Sequence, residues 1–153
     1  MTVYLVRHAK AGSRKGWSGD DAHRPLSKVG RTQARAIGKA LADGGITRIV
    51  SSPFVRCRET VEPLGARVGV DVELSDALGE GASLTDSLRL VEKLSDVNVA
   101  LCSHGDVLGH LLNHVARSGV DLGDDRLEKA SIWVLDTVDG TVSAARYLAP
   151  PGS

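Results

Sequence analysis

The stretch YLVRHAKAG, residues 4–12, decides how this chain is organised. Its first part continues the apolar segment VYLVR, residues 3–7, which is typical of a buried strand, and this strand is followed directly by His8. Arginine and histidine are seldom buried without partners. Arg7 and His8 therefore mark either a solvated strand edge or the beginning of a chemical site. The two interpretations differ in whether other segments supply matching groups.

The composition is that of an ordinary globular domain. The chain has 153 residues, of which 42% are hydrophobic and 25% are charged, enough for one substantial core. We expect a single domain over residues 1–150 and a short tail over residues 151–153. The sequence has no apolar run of membrane-spanning length and no signal-peptide pattern at its start, so no membrane partner is expected. Two cysteines, Cys57 and Cys102, predict no disulfide framework, which favours a cytoplasmic location.

The net charge of zero conceals an uneven distribution. Residues 1–58 carry 12 Lys and Arg against 3 Asp and Glu, whereas residues 59–153 carry 7 against 16. Two interpretations stay open: halves of opposite charge that attract each other or simply form solvated helix faces, and a basic concavity for an anionic ligand. Aromatic residues make up 3% of the chain, which is few for the base stacking used by nucleic-acid-binding proteins. A nucleic-acid polymer is therefore not expected as a partner.

Strand and helix patterns alternate along the chain. Strand patterns cover residues 3–7, 46–52, 70–75 and 97–103. Helical patterns follow them over residues 26–45, 53–68, 87–95 and 105–119. Residues 132–148 predict a hairpin around Asp139-Gly140. The alternation predicts an α/β fold, a three-layer α/β/α sandwich with a mainly parallel sheet and an antiparallel C-terminal hairpin at its edge.

The helix boundaries follow from capping residues. Ser52 is expected to cap the second helix with Pro53 in its first position, and Ser83 or Thr85 to cap the third. The first helix is expected to bury one face, made of Val29, Ala36, Ile37, Ala40 and Leu41.

Ionisable residues follow four of the predicted strands. In parallel sheets, ligands bind beyond the carboxyl ends of the strands. The first strand ends at Arg7 and His8, and the second leads to Arg56 in the first turn of a helix. The third leads to Glu80 in a glycine-flanked loop, and the fourth to His104. Each residue alone has an ordinary structural explanation, but their convergence predicts a site at this edge.

These residue types suit phosphoryl transfer. A guanidinium group can donate two parallel hydrogen bonds to a phosphate, and its positive charge offsets the charge of the transition state. A neutral imidazole is a competent nucleophile toward phosphorus, and neighbouring cations keep it neutral. A carboxylic acid can protonate the departing oxygen.

The motifs LVRHAKAG, SSPFVR, LGE and SHGD, in this order, resemble those of the histidine phosphatase superfamily, the group with phosphoglycerate-mutase-like and acid-phosphatase-like members. The resemblance covers nearly the whole chain. It implies that His8 is the catalytic nucleophile and forms a phosphohistidine, and that Glu80 is the proton donor. It also implies a phosphate pocket of Arg7, Arg56 and His104, with His104 counted among the catalytic groups as well. No metal and no cofactor are implied.

Two departures narrow the resemblance. Ala9 stands where many relatives have glycine, and Lys10-Ala11 replaces the familiar Glu-Thr. Together with the short length and the stretch HRPLSKVG, residues 23–30, this resembles the SixA-type phosphohistidine phosphatases. The chain has no room for the large cap insertions of the sugar-phosphate mutases. We therefore expect an open site that admits a protein surface or a nucleotide.

The expected activity is hydrolysis of phosphate monoesters or protein phosphohistidine through His8. The alternative is a nucleotide phosphatase acting on a nucleoside di- or triphosphate, since a similar compact module follows Nudix domains in some actinobacterial proteins. A phosphomutase and a non-catalytic phosphate-binding module are less favoured. The partner is thus a phosphorylated small molecule, a nucleotide or a phosphoprotein, and the oligomeric state stays open. Candidate substrate contacts are Lys10, Arg24 and Ser103.

Other ionisable residues fit ordinary structural roles better. His110 and His114 have a spacing that zinc can use, but Leu111 stands where the metalloprotease motif needs glutamate. Cys102 is expected in the core. Cys57 adjoins Arg56, and a packed helix position is favoured over a reactive thiol.

Overall fold

Residues 1–152 are described by a computed structural model. Within this range the elements are β1 Thr2–Arg7, α1 Lys28–Leu41, β2 Arg48–Ser51, α2 Val55–Val68, β3 Val72–Leu74, α3 Leu84–Leu94, β4 Val99–Ser103, α4 Gly105–Arg117, β5 Ile132–Val138 and β6 Thr141–Leu148. Short 3-10 helices lie at Asp21–His23 and Asp76–Leu78. Over residues 1–152, every helix is too short or too polar to cross a membrane.

One sheet contains the strands in the order β3-β2-β4-β1-β5-β6. The first four strands of that order pair in parallel, whereas β5 is antiparallel to β1 and β6 is antiparallel to β5. Asp139 and Gly140 both have positive φ values, 52° and 79°, as a two-residue type I′ turn requires. The predicted α/β fold with its antiparallel edge hairpin is confirmed.

Helices cover both faces of the sheet. Residues of α1 and α2, including Ile37 and Leu64, form one buried cluster against it. Residues of α3 and α4, including Leu94 and Leu108, form a second cluster on the other face. All five residues of β4 are buried, because this strand lies inside the sheet between the two helical layers.

The buried face of α1 differs from the predicted one. Val29 is 54% exposed and Ala40 is also exposed, so this part of the prediction was wrong. Ala36, Ile37 and Leu41 are buried as predicted, and the small residues Gly30, Ala34 and Gly38 complete the buried stripe. A Cβ atom on Gly38 would lie 3.2 Å from the backbone nitrogen of Leu64. The small side chains of this stripe let α2 approach α1 closely.

The start of α2 also differs from the prediction. The helix begins at Val55, and its N-cap is Phe54, which has no side-chain capping bond. The hydroxyl of Ser52 accepts a hydrogen bond from the amide of Phe54 at 3.2 Å, so Ser52 lies in the turn before the helix. The predicted cap of α3 is confirmed, since Ser83 accepts from the amide of Asp86.

Candidate active site

The carboxyl ends of β1, β2 and β4 face a cavity of about 900 Å³. Six of the predicted site residues line it: Arg7, His8, Arg24, Arg56, Glu80 and His104. These residues come from distant parts of the sequence, and the parallel strands bring them together. The cavity is completed by residues that the sequence analysis did not place there: Ala11, Gly12, Ser13, Arg14, Gly105, Asp106, Leu127 and Lys129.

His8 is held as a neutral imidazole. Its Nδ1 atom lies 2.8 Å from the carbonyl oxygen of Ala9, which can only accept, so the ring proton is assigned to Nδ1. The Nε2 atom then carries the free electron pair. Burial, together with the positive charges of Arg56 and Arg7 and the nearby His104, lowers the pKa of His8 to about 3 despite the hydrogen bond to Ala9. The imidazole is therefore unprotonated at neutral pH.

Arg56 is almost completely buried, with 1% exposure. Its Nη1 atom donates to the backbone oxygen of Asp21 at 2.9 Å, and Nη2 donates to the Asp21 carboxylate at 3.1 Å. Nη2 also lies 3.4 Å from Oε1 of Glu80. The guanidinium carbon lies 5.0 Å from the centre of the Phe54 ring. These contacts fix the guanidinium plane at the cavity wall.

Arg7 is fixed from the opposite direction. Its Nη1 atom donates to the backbone oxygen of Leu127, and the guanidinium packs against the start of α4. A Cβ atom on Gly105 would lie 3.0 Å from the guanidinium carbon of Arg7, so glycine is the residue that leaves room there. Within residues 1–152, the buried Nε atoms of Arg7 and Arg56 lack acceptors. Each of these two guanidinium groups therefore keeps an N–H group that can donate a further hydrogen bond.

His104 lies beside His8, with ring centres 5.5 Å apart. Its Nε2 atom lies 2.8 Å from the hydroxyl of Ser52, and its ring meets the Phe54 ring edge-on at 4.7 Å. The Sγ atom of Cys57 is 3.5 Å from the same Nε2. Cys57 is fully buried, as its packed position in α2 predicted.

Glu80 lies at the open side of the cavity, with 40% of its side chain exposed. Its Oε1 atom lies 3.8 Å from Arg14 and 4.0 Å from Nδ1 of His104. The loop that carries it is anchored to α4, because the amide of Gly81 donates to the Asp106 carboxylate at 2.9 Å. A carboxyl group in this position can reach a leaving group that departs toward solvent.

Asp21 is an important residue that the sequence analysis missed. Its carboxylate lies 3.0 Å from Nε of Arg24 and 3.1 Å from Nη2 of Arg56. Partial burial opposes ionisation, but the hydrogen bonds and charges of Arg24 and Arg56 outweigh it, so the pKa of Asp21 lies below its ordinary value. Arg24 also donates to the backbone oxygen of Gly12. Asp21 thereby organises two arginines of the cavity wall.

Two predicted substrate contacts lie elsewhere. Ser103 is fully buried, and its hydroxyl donates to the backbone oxygen of Leu78 at 2.6 Å, so it holds the segment before Glu80 rather than facing the cavity. Lys10 is exposed and is absent from the cavity lining. Its backbone amide donates to the side chain of Gln33, and its carbonyl oxygen accepts from the hydroxyl of Ser27. The structure therefore does not bring Ser103 and Lys10 to the cavity with the other predicted site residues.

His110 and His114 are exposed on α4 and line a separate cavity of about 450 Å³. Across residues 1–152, no three His, Cys, Asp or Glu side chains are grouped closely enough to hold a metal ion. Cys102 is fully buried in the core, as predicted.

Comparison with known families decides the classification. A family profile described as "Histidine phosphatase superfamily (branch 1)" matches residues 3–83, a range that contains His8, Arg56 and Glu80. The chain belongs to branch 1 of the histidine phosphatase superfamily. The family resemblance of the four sequence motifs is thus confirmed.

Several branch members or structural neighbours are similar over the whole chain. The sequence is 35% identical over 156 aligned positions to an 8-oxo-(d)GTP phosphatase of Mycolicibacterium smegmatis, a match that covers 98% of this chain and 48% of that protein. The chain spans about half the length of the curated relatives it matches first. Its fold is similar to that of the protein histidine phosphatase SixA complexed with tungstate, with a TM-score of 0.79, 20% identity, and coverage of 99% of this chain and 97% of the other. A mycobacterial glucosyl-3-phosphoglycerate phosphatase gives a TM-score of 0.75 at 19% identity, covering 99% of both chains.

Proposed function

We propose that this histidine phosphatase hydrolyses phosphorylated substrates through a covalent phosphohistidine on His8. The observation that carries the proposal is the state of the His8 ring. Its Nδ1 atom is bound to the carbonyl of Ala9 at 2.8 Å, so Nε2 is the free base, and it shares a cavity with the guanidinium groups of Arg7 and Arg56. A nucleophile beside two anion-binding groups is what transfer of a phosphoryl group needs.

The first step transfers the phosphoryl group to the enzyme. The electron pair of Nε2 on His8 forms a bond to phosphorus, and the bond between phosphorus and the leaving oxygen breaks with its electrons on that oxygen. Arg7, Arg56 and His104 bind the phosphoryl oxygens as charge redistributes. Glu80, in its carboxylic acid form, gives its proton to the leaving oxygen.

The second step returns His8 to its starting state. Water attacks the phosphorus, Glu80 takes a proton from it, and the bond between phosphorus and Nε2 breaks with its electrons returning to the imidazole. Inorganic phosphate is released, and Glu80 is again protonated. No residue of the chain is consumed, and no metal or other cofactor is required by this sequence of steps.

Glu80 as proton donor favours phosphate monoesters, whose alkoxide leaving group needs a proton, and the fold shared with a protein histidine phosphatase supports protein phosphohistidine as a substrate. A second candidate is a nucleoside di- or triphosphate. It is favoured by the relative from M. smegmatis, whose name states that it acts on 8-oxo-(d)GTP and which matches 98% of this chain. Both candidates use the same chemistry at His8.

Turnover and labelling of the protein test this proposal. His8→Ala should abolish hydrolysis of p-nitrophenyl phosphate, and Arg7→Ala or Arg56→Ala should lower kcat/KM by about 10²-fold or more. His114→Ala, an exposed histidine outside the cavity, is the matched control and should retain full activity. Undiminished activity of His8→Ala would contradict the proposal.

A quenched reaction with radioactive phosphosubstrate should label the wild-type protein, and the label should be stable in base and labile in acid. Loss of this label in His8→Ala assigns it to that residue. A phosphomutase would return the group to the substrate, whereas hydrolysis in water labelled with heavy oxygen places that oxygen in phosphate. A binding module without catalysis would give no label.

A further inference from the structure

Lys129 lines the same cavity as His8 and Arg7 but has no part in the steps above. It lies in the segment between α4 and β5, which carries no recognisable motif. A single phosphoryl group is already served by Arg7, Arg56 and His104. Lys129 is exposed to solvent on the wall of the same cavity, so its ammonium group is available to a further anion.

The backbone around Lys129 is fixed to the nucleophile strand. The amide of Ala130 is within hydrogen-bond distance of two carbonyl oxygens, that of Arg7 at 3.2 Å and that of His8 at 3.1 Å, and the amide of Arg7 donates to Ser131. Leu127 accepts from the Arg7 guanidinium. Lys129 therefore extends from a backbone segment that is hydrogen-bonded to the residues at the end of β1, Arg7 and His8.

This segment contains an unfavourable backbone conformation. Ala130 is fully buried and has a φ of 67°, a region that residues with a Cβ atom rarely adopt. Such strain persists only where surrounding contacts enforce it, and it is concentrated at ligand-binding sites. Here the contacts of Ala130 with Arg7 and His8 enforce it, and they set the direction in which Lys129 leaves the backbone.

The charge of Lys129 is not balanced by the protein. Arg14, Arg24 and Arg56 each lie within 4.0 Å of the Asp21 carboxylate. The ion pairs formed among residues 1–152 do not include Lys129.

Its electrostatic surroundings are positive. Burial, followed by the charges of Arg7, Arg24, Lys10 and Arg14, lowers the pKa of Lys129. Like charges held together around the cavity repel one another, and an anion bound among them relieves that repulsion.

We propose that Lys129 binds a second phosphate group of the substrate, next to the one that His8 attacks. The preferred substrate is then a diphosphate or triphosphate ester rather than a compound with one phosphate. This inference rests on the proposed phosphatase activity and chooses between its two substrate candidates. In the first step the bond that breaks joins the terminal phosphorus to the bridging oxygen, and the leaving group is the remaining phosphate ester, which Lys129 neutralises.

The experiment compares ADP, AMP and p-nitrophenyl phosphate as substrates of four full-length proteins: wild type, Lys129→Ala, Lys129→Arg and Lys39→Ala. Lys39 is an exposed lysine of α1 outside the cavity, so its variant controls for the loss of one positive charge. We expect Lys129→Ala to raise the KM for ADP about tenfold and to leave the constants for AMP and p-nitrophenyl phosphate unchanged. Lys129→Arg and Lys39→Ala should resemble the wild type.

The outcomes separate the two proposals. If the wild type hydrolyses p-nitrophenyl phosphate but handles ADP no better than AMP, the second-phosphate site is refuted and the phosphatase proposal stands. Equal effects of Lys129→Ala on all three substrates would also refute it, because a distorted His8 strand would give that result. Wild-type protein that hydrolyses none of the three, while phosphohistidine protein is also left intact, would overturn the phosphatase proposal itself.

Discussion

The hydroxyl of Ser52 lies 2.8 Å from Nε2 of His104 and connects the end of β2 to the end of β4. The same hydroxyl accepts a hydrogen bond from the amide of Phe54 at 3.2 Å. Ser52 thus contacts both His104 of the phosphate pocket and the turn that precedes Arg56. Ser52 therefore holds the His104 ring in position relative to the second arginine.

Removing this hydroxyl should affect both catalysis and stability. We expect Ser52→Ala to lower kcat by about tenfold through a loosened His104 ring, at a stability cost of about 1–3 kcal/mol for the lost buried hydrogen bonds. Steady-state kinetics and urea denaturation measure the two effects.

The matched control for that variant is Ser95→Ala, a buried serine at the end of α3 and outside the cavity, whose hydroxyl donates to the backbone oxygen of Glu92 at 2.8 Å. It should lose similar stability while keeping wild-type kcat. Equal kinetic defects in both variants would show that Ser52 acts through the fold alone.

Gly105 should be intolerant of a side chain because of Arg7. A Cβ atom there would lie 3.0 Å from the guanidinium carbon, so Gly105→Ala must displace the group that binds phosphate. We expect kcat/KM to fall by about 10- to 100-fold with the protein still folded.

Gly109 provides the comparison within the same helix, since a Cβ atom on it would meet nothing within 4 Å. Gly109→Ala should keep full activity and gain about 0.5–1 kcal/mol of stability from better helix propensity. Undisturbed phosphate affinity in Gly105→Ala would argue against the packing constraint.

The low pKa of His8 predicts an acid-sensitive fold. The pKa is about 3 in the folded protein and about 6.5 in the unfolded chain, so below pH 6.5 the unfolded state takes up a proton that the folded state does not. Stability is thus lost as the pH falls from 6.5 toward 3. Between pH 7 and pH 5 the wild type should lose about 2 kcal/mol more than His8→Gln, measured by urea unfolding in phosphate-free buffer. A parallel loss in both proteins would mean that His8 is not a buried neutral base.

Glu80 should matter most for poor leaving groups. An alkoxide needs a proton as it departs, whereas a nitrophenolate leaves without one. Glu80→Gln should therefore slow alkyl phosphates by about 10²-fold and aryl phosphates with good leaving groups far less. Rates measured across a series of esters give the dependence on leaving-group pKa, and a slope identical to that of the wild type would remove Glu80 from the donor role.

The sequence predicted the parts of the site that follow strands. His8, Arg56, Glu80 and His104 could be assigned to one edge because parallel strands end on the same side, and this depends only on element order. The cavity indeed brings them together.

Asp21 and Lys129 could not be found in that way. Asp21 lies in a 3-10 helix of three residues, and Lys129 follows a segment without periodicity. Their positions depend on long-range contacts, with Arg56 in one case and with the His8 strand in the other. The hydrophobic pattern also misplaced the buried face of α1, because Gly30 and Gly38 are buried for their small size rather than for apolar area.

The carboxylate of Asp21 has a consequence for the end of each catalytic cycle. It lies 3.1 Å from Nη2 of Arg56, so part of the positive charge of this guanidinium is offset by an anion of the protein itself. Inorganic phosphate in the cavity therefore meets a weaker attraction than an unpaired arginine would give it. We expect weak product inhibition, because a spent phosphate is held less tightly by an arginine that already has a carboxylate partner.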